Sequence, residues 1–145
     1  MSPDTIFSIC TWGVMPAWLL LALAPRWPWT QRLVHALWIP LLLAPVYAWA
    51  LVTVGPAPEE AGFGSLRGVM LFFTVPKAAL AGWLHYLAFD LFIGAWEVRD
   101  AGRREIPHLA VLPCLVLTLA LGPIGLGLYL LLRLALRREL SLVEA

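Results

Sequence analysis

His85 and Asp90 stand five residues apart in a stretch that is otherwise apolar or aromatic, running from Gly82 to Trp96. An imidazole and a carboxyl are the side chains most used to give and take protons in general acid–base chemistry. With Tyr86 between them they form the candidate catalytic set, a proton-transfer pair or polar anchor lining a lipid-accessible cavity. Trp83, Phe89, Trp96, Tyr47 and Thr118 are the side chains expected to line it. The competing reading is structural: Asp90 hydrogen-bonds Thr118 or Tyr86 and ties helices together. Further along lie Glu97, Arg99, Asp100, Arg103, Arg104, Glu105 and His108. This group reads as an interfacial loop with charge pairs, in preference to a headgroup-level catalytic site.

The elements that position these groups follow from composition. Of 145 residues, 61% are hydrophobic and 13% charged, against about 45–50% and about 25% in soluble domains. Mean hydropathy is +0.84. A soluble core of this size leaves too much surface exposed to hide that apolar content, and disordered chains are poor in apolar residues. The chain reads as a multi-pass integral membrane protein. A net charge of +1 excludes the electrostatic footprint of a nucleic-acid binder. Asp4 precedes the first apolar run with no Lys or Arg before it, which argues against a cleavable signal peptide.

Spanning helices need about 20 apolar residues, which predicts an all-α bundle of four transmembrane helices over residues 5–24, 33–54, 77–98 and 108–132. Pro76 and Lys77 cut an otherwise over-long stretch, so residues 68–75 are read as a short interfacial or re-entrant segment before the third span. A single long tilted helix is the alternative. Prolines interrupt the spans at Pro16, Pro40, Pro45, Pro113 and Pro123, the last within Gly122-Pro123-Ile124-Gly125; each can kink a membrane helix. Four spans place both termini on one side. The loops holding Arg26, Arg32, Arg99, Arg103 and Arg104 then oppose Arg67, Lys77, Arg133, Arg137 and Arg138, a tie that leaves orientation open. The tail Arg133, Arg137 and Arg138 reads as a stop-transfer and anionic-lipid contact.

Helical rise converts position into depth. Counting back from Arg99 at about 1.5 Å per residue, Asp90 lies roughly 12–14 Å and His85 roughly 20 Å into the slab. Thr118 falls near the Asp90 level and Tyr47 near that of His85. An acid at such depth normally faces the bundle interior and has a partner. Around the third helix, Trp83, Asp90 and Glu97 share a face. His85 sits about 140° from Asp90, in line with Phe89, Phe92 and Trp96. His35 and His108 open their spans near the interface, so the three histidines are separated in depth and no metal site or cofactor is expected. Cys10 and Cys114 are also too far apart in depth for a disulfide.

The Gly82–Trp96 run, followed by Arg99-Asp100-Ala101, resembles the signature of the abscisic-acid-deficient-4-like membrane family. Ile106-Pro107-His108-Leu109, Pro113-Cys114-Leu115, Gly122-Pro123-Ile124-Gly125-Leu126 and Trp18-Leu19-Leu20 leading to Ala24-Pro25-Arg26 are similar to that family too. Its plant members are associated with neoxanthin synthesis, an isomerisation that opens an epoxide and leaves an allene. The resemblance implies a cofactor-independent isomerase of a carotenoid- or isoprenoid-type lipid, with a non-enzymatic scaffold or pigment-binding helper as the alternative. The chain lacks the plastid-targeting extension of plant members, from which a relative in a bacterial cell membrane is expected. Expected partners are the bilayer, a carotenoid-like ligand, and a second copy or another membrane protein.

Overall fold

Proline marks where most of the helices begin. Pro3, Pro28, Pro76 and Pro123 each take the first position of a helix, where a missing N–H costs nothing and a fixed φ is already helical. The computed structural model describes residues 1–141, and among them the chain is all-helical with no strand. The helices are α1 (Pro3–Leu23), α2 (Pro28–Leu33), α3 (Trp38–Val52), α4 (Leu66–Phe72), α5 (Pro76–Arg103), α6 (His108–Leu121) and α7 (Pro123–Arg137). Three stretches are long and apolar enough to cross a membrane: Pro3–Leu23, Pro28–Val52 and Pro76–Arg103. The second contains a turn between α2 and α3 in which Leu37 takes φ 61°. The cut at Pro76 is where the sequence places it, and the short helix α4 precedes it.

Two compact units divide the chain. The first comprises Met1–Met15 and Trp38–Phe89. Its core is aliphatic, with Val14, Leu43, Ala50, Ala78, Ala81, Leu84 and Leu87 buried. Helix α1 meets α5 there through Phe7 and Trp83, whose ring centroids are 5.1 Å apart, and through the Trp83 indole N–H, which donates to Thr11 Oγ1 at 2.8 Å. Helix α4 is capped by Ser65, whose hydroxyl accepts from the Gly68 N–H at 3.0 Å. Lys77 donates to the Thr53 carbonyl at 2.8 Å and lies over the Trp49 ring.

The second unit comprises Pro16–Leu37 and the chain from Asp90 on. Gly94 lets α5 approach α1 closely, since a Cβ there would come within 2.6 Å of the Trp18 ring. The expectation of one span over residues 108–132 is corrected in this unit. The helix stops at Leu121, Gly122 turns at φ 39°, and α7 folds back beside α6 as a helical hairpin. Gly122-Pro123 is the physical reason. Proline disfavours the helical conformation of the residue before it, and glycine tolerates the positive φ that the turn requires. Gly125 then allows α7 to lie directly on the Thr118 backbone, where any Cβ would collide. At about 1.5 Å per residue the 14-residue α6 is about 21 Å long, short of a hydrocarbon core of about 30 Å.

Contacts along α5 fix the direction of the hairpin. Its turn at Gly122 lies against the Asp90 carboxylate, Thr118 meets Glu97, Tyr129 meets Asp100, and Arg137 donates to the Glu105 carbonyl. Residues 133–138 therefore return to the end of the unit that carries Arg99, Arg103 and Arg104. The charge tally changes with them. Arg133, Arg137 and Arg138 then fall at the same end of the second unit as Arg99, Arg103 and Arg104, where the four-span reading set them on the opposite side.

Candidate functional site

The structure separates the two residues that the sequence pairs. His85 belongs to the first unit and Asp90 to the second. His85 is exposed, which corrects the expectation that it faces inward; it stacks on Phe89 with ring centroids 4.4 Å apart. The reason is its angular position on α5. The stripe it shares with Phe89 and Phe92 is the outward one, and both of those rings are exposed. Next to the imidazole is a cavity of about 330 Å³ lined by Tyr47, Phe63, Phe72, Phe73, Gly82 and His85 among others. Tyr47 and His85 have ring centroids 6.2 Å apart, and Gly82 leaves room for the Phe73 ring, which a Cβ would meet at 2.6 Å. One imidazole and one phenol thus stand among phenylalanines, the apolar lining with few polar groups that small-molecule sites favour.

The other aromatic candidates lie outside this cavity. Trp83 stacks on Tyr86 with centroids 5.1 Å apart and uses its indole N–H on Thr11, so this pair joins α5 to α1. Trp96, in the second unit, packs edge-on against Tyr129 at 5.4 Å.

Asp90 sits at the hairpin turn. A Cβ on Gly122 would lie 2.9 Å from its Oδ1, which places the carboxyl at the N-terminal end of α7, where the helix dipole favours negative charge. Thr118, expected near Asp90, instead donates its hydroxyl to Glu97 Oε1 at 2.9 Å. Glu97 and Asp100, read as interfacial charges, are buried, and Glu97 is fully so. They lie on the face of α5 that the returning hairpin covers, and the hairpin together with Arg104 supplies their donors. The Tyr129 hydroxyl donates to Asp100 Oδ2 at 2.6 Å, Arg104 Nε donates to Oδ1 at 3.0 Å, and Arg133 Nε lies 3.6 Å from Oδ2. Arg104 also pairs with Glu139. The Asp100 hydrogen bond raises the Arg104 pKa above its ordinary value, so this cation stays charged.

Arg133 is the other correction. Assigned to a water-side tail, it is fully buried and donates to the Ser141 carbonyl as well. Tyr129 and Arg133 are the residues that sequence reasoning missed. Their signal is the spacing Tyr129, Arg133, Arg137, which puts a phenol and two guanidinium groups on one face of a helix. Arg99 and His108 go elsewhere, to a second cavity at the ends of the helices, where His35 joins them. Cys10 and Cys114 are free thiols.

Two kinds of polar site therefore share α5: an open aromatic one around His85 and a closed one of buried acids with internal donors. No match was found among curated proteins or solved structures. The family model described as ABA DEFICIENT 4-like matches residues 5–129, which include the aromatic site, the hairpin turn and the buried acids with Thr118 and Tyr129, and the chain belongs to that family.

Proposed function

We propose that this membrane protein binds a carotenoid- or isoprenoid-type lipid in the aromatic cavity of the first unit and isomerises it by acid–base chemistry. The observation that carries this reading is the juxtaposition of His85 and Tyr47 on a cavity otherwise lined by apolar and aromatic groups. About 330 Å³ suits one cyclic end group with a few polyene carbons, the remainder of the chain lying along the exposed aromatic stripe of Phe89 and Phe92.

For an epoxide end group the steps balance without an oxidant or reductant. A proton goes to the epoxide oxygen as its C–O bond breaks, and a carbon-bound proton is taken as the new double bond forms, so the product has the substrate's composition. In this reading Tyr47 donates to oxygen and His85 takes the proton from carbon. General acid–base groups of this kind are worth about 10²–10⁴ in rate each. Location in a bacterial cell membrane belongs to the same proposal.

A second reading, a pigment-binding helper without catalysis, is favoured by one observation: Asp90, Glu97 and Asp100 are all engaged with the hairpin, which leaves His85 and Tyr47 as the titratable pair at the cavity. Expression in a carotenoid-producing host distinguishes the two. An isomerase changes the pigment profile, and His85→Ala restores the profile of the empty host while the protein still accumulates. An unchanged profile across several carotenoid backgrounds, with pigment co-purifying, establishes the helper.

A further inference from the structure

The second cavity, in the second unit, has a volume of about 370 Å³ and lies where α1 and α5 end and α6 begins. Its lining includes Arg26, His35, Arg99, Arg103 and His108. Three guanidinium groups and two imidazoles thus border one space, and no Asp or Glu is among the described residues that line it. The adjacent carboxylate in the chain, Asp100, is already occupied by Tyr129, Arg104, Arg133 and Arg103.

Two of these groups also carry unspent donors. His35 is 9% exposed, and neither of its ring nitrogens has a hydrogen-bond partner. The buried Nε of Arg99 has none either. Buried polar groups ordinarily have partners, so each orphan calls for an explanation. His108 is held in place from the other side, its Nε2 2.9 Å from the Ala22 carbonyl. It opens α6, whose N-cap Pro107 offers no side-chain cap, so the positive end of that helix adds to the field.

We propose that this cavity binds a phosphate group, carried by an anionic lipid headgroup or free in solution. Guanidinium forks match phosphate oxygens bidentately, and basic pockets between helices at the ends of membrane spans hold anionic headgroups. Phosphate supplies the several acceptor oxygens that the orphaned nitrogens of His35 and Arg99 lack, with Arg26 at the same space. The inference concerns the unit without the aromatic cavity and stands whether or not that cavity is catalytic.

The test uses the full chain purified in dodecyl maltoside, with fluorescent phosphatidic acid and phosphatidylcholine as probes and inorganic phosphate as competitor. Phosphatidic acid should bind at least about tenfold more tightly than phosphatidylcholine, each basic contact contributing about the energy seen for membrane-surface Lys and Arg. Arg99→Gln and Arg26→Gln should each weaken it about tenfold, whereas Arg67→Gln in the first unit should not. Arg26 is exposed, so its variant tests the site without disturbing the core. Competition by inorganic phosphate assigns the site to the free anion, and its absence assigns it to the lipid headgroup. Equal binding of the two lipids with no stabilisation by inorganic phosphate overturns the proposal, as does affinity unchanged in both Arg99→Gln and Arg26→Gln.

Discussion

The two halves of α5 treat polar groups in opposite ways. From Pro76 to Phe89, in the first unit, the polar side chains are few and lie among rings: Lys77 over Trp49, Tyr86 on Trp83, His85 on Phe89. From Asp90 to Arg103, in the second, acids are buried and answered by hydroxyl and guanidinium donors from the hairpin. Burying a charge is costly unless it is paired and hydrogen-bonded, so the second half works as a lock, whose members hold one another. The first half leaves His85 at a surface where a ligand can reach it. An exposed polar group and a covered one can thus sit five residues apart on one helix, and the difference lies in what covers them.

The contrast breaks most visibly at Asp100. Asp100→Ala strands Arg133, which is fully buried, and removing one partner of a buried ion pair costs about 3–5 kcal/mol. The expected outcome, read by thermal unfolding in detergent, is a large drop in Tm or loss of monodisperse protein; a near-native Tm removes the lock from the account. Gly125→Leu forces a side chain into the Thr118 backbone and should cost about 1–3 kcal/mol or more as the hairpin is pushed apart. Its unfolding curve should fall between those of Asp100→Ala and the unchanged chain. His85→Ala sharpens the comparison from the other side. An exposed residue with ring contacts alone should change stability by no more than about 0.5 kcal/mol, while abolishing any pigment conversion. A loss of stability as large as that of Asp100→Ala would make His85 a packing residue.

Much of this was legible in the sequence. The apolar composition, the all-helical class, the break at Pro76 and the shared line of His85, Phe89 and Phe92 follow from residue type and periodicity, and the family from the resemblance carried by the Gly82–Trp96 run; that the line faces outward did not. The hairpin did not, because hydropathy counts apolar residues and cannot tell one crossing of 25 residues from two shorter helices side by side. Gly122-Pro123 carried the information, yet the same dipeptide also fits a kink within a continuous span. A continuous fourth span puts Arg133 in a basic tail and takes from Glu97 and Asp100 the covering helix that carries Thr118 and Tyr129. Burial of those acids is a tertiary property, set by which face of α5 the hairpin covers. Tyr129, Arg133 and Arg137 at four-residue spacing were the surviving clue, since a plain span has no reason to line up one phenol and two guanidinium groups.

The hairpin is the claim on which the rest turns, and sidedness tests it most directly. In a chain with Cys10 and Cys114 changed to Ala, single cysteines are introduced as Gly102→Cys, where a Cβ meets nothing within 4 Å, and as Ser141→Cys. Each is then challenged with a membrane-impermeant maleimide in sealed vesicles, before and after permeabilisation. A hairpin that enters and leaves by one face predicts that both positions label from the same side. Labelling of residues 102 and 141 from opposite sides would mean that residues 108–132 cross the membrane once, and would contradict the account.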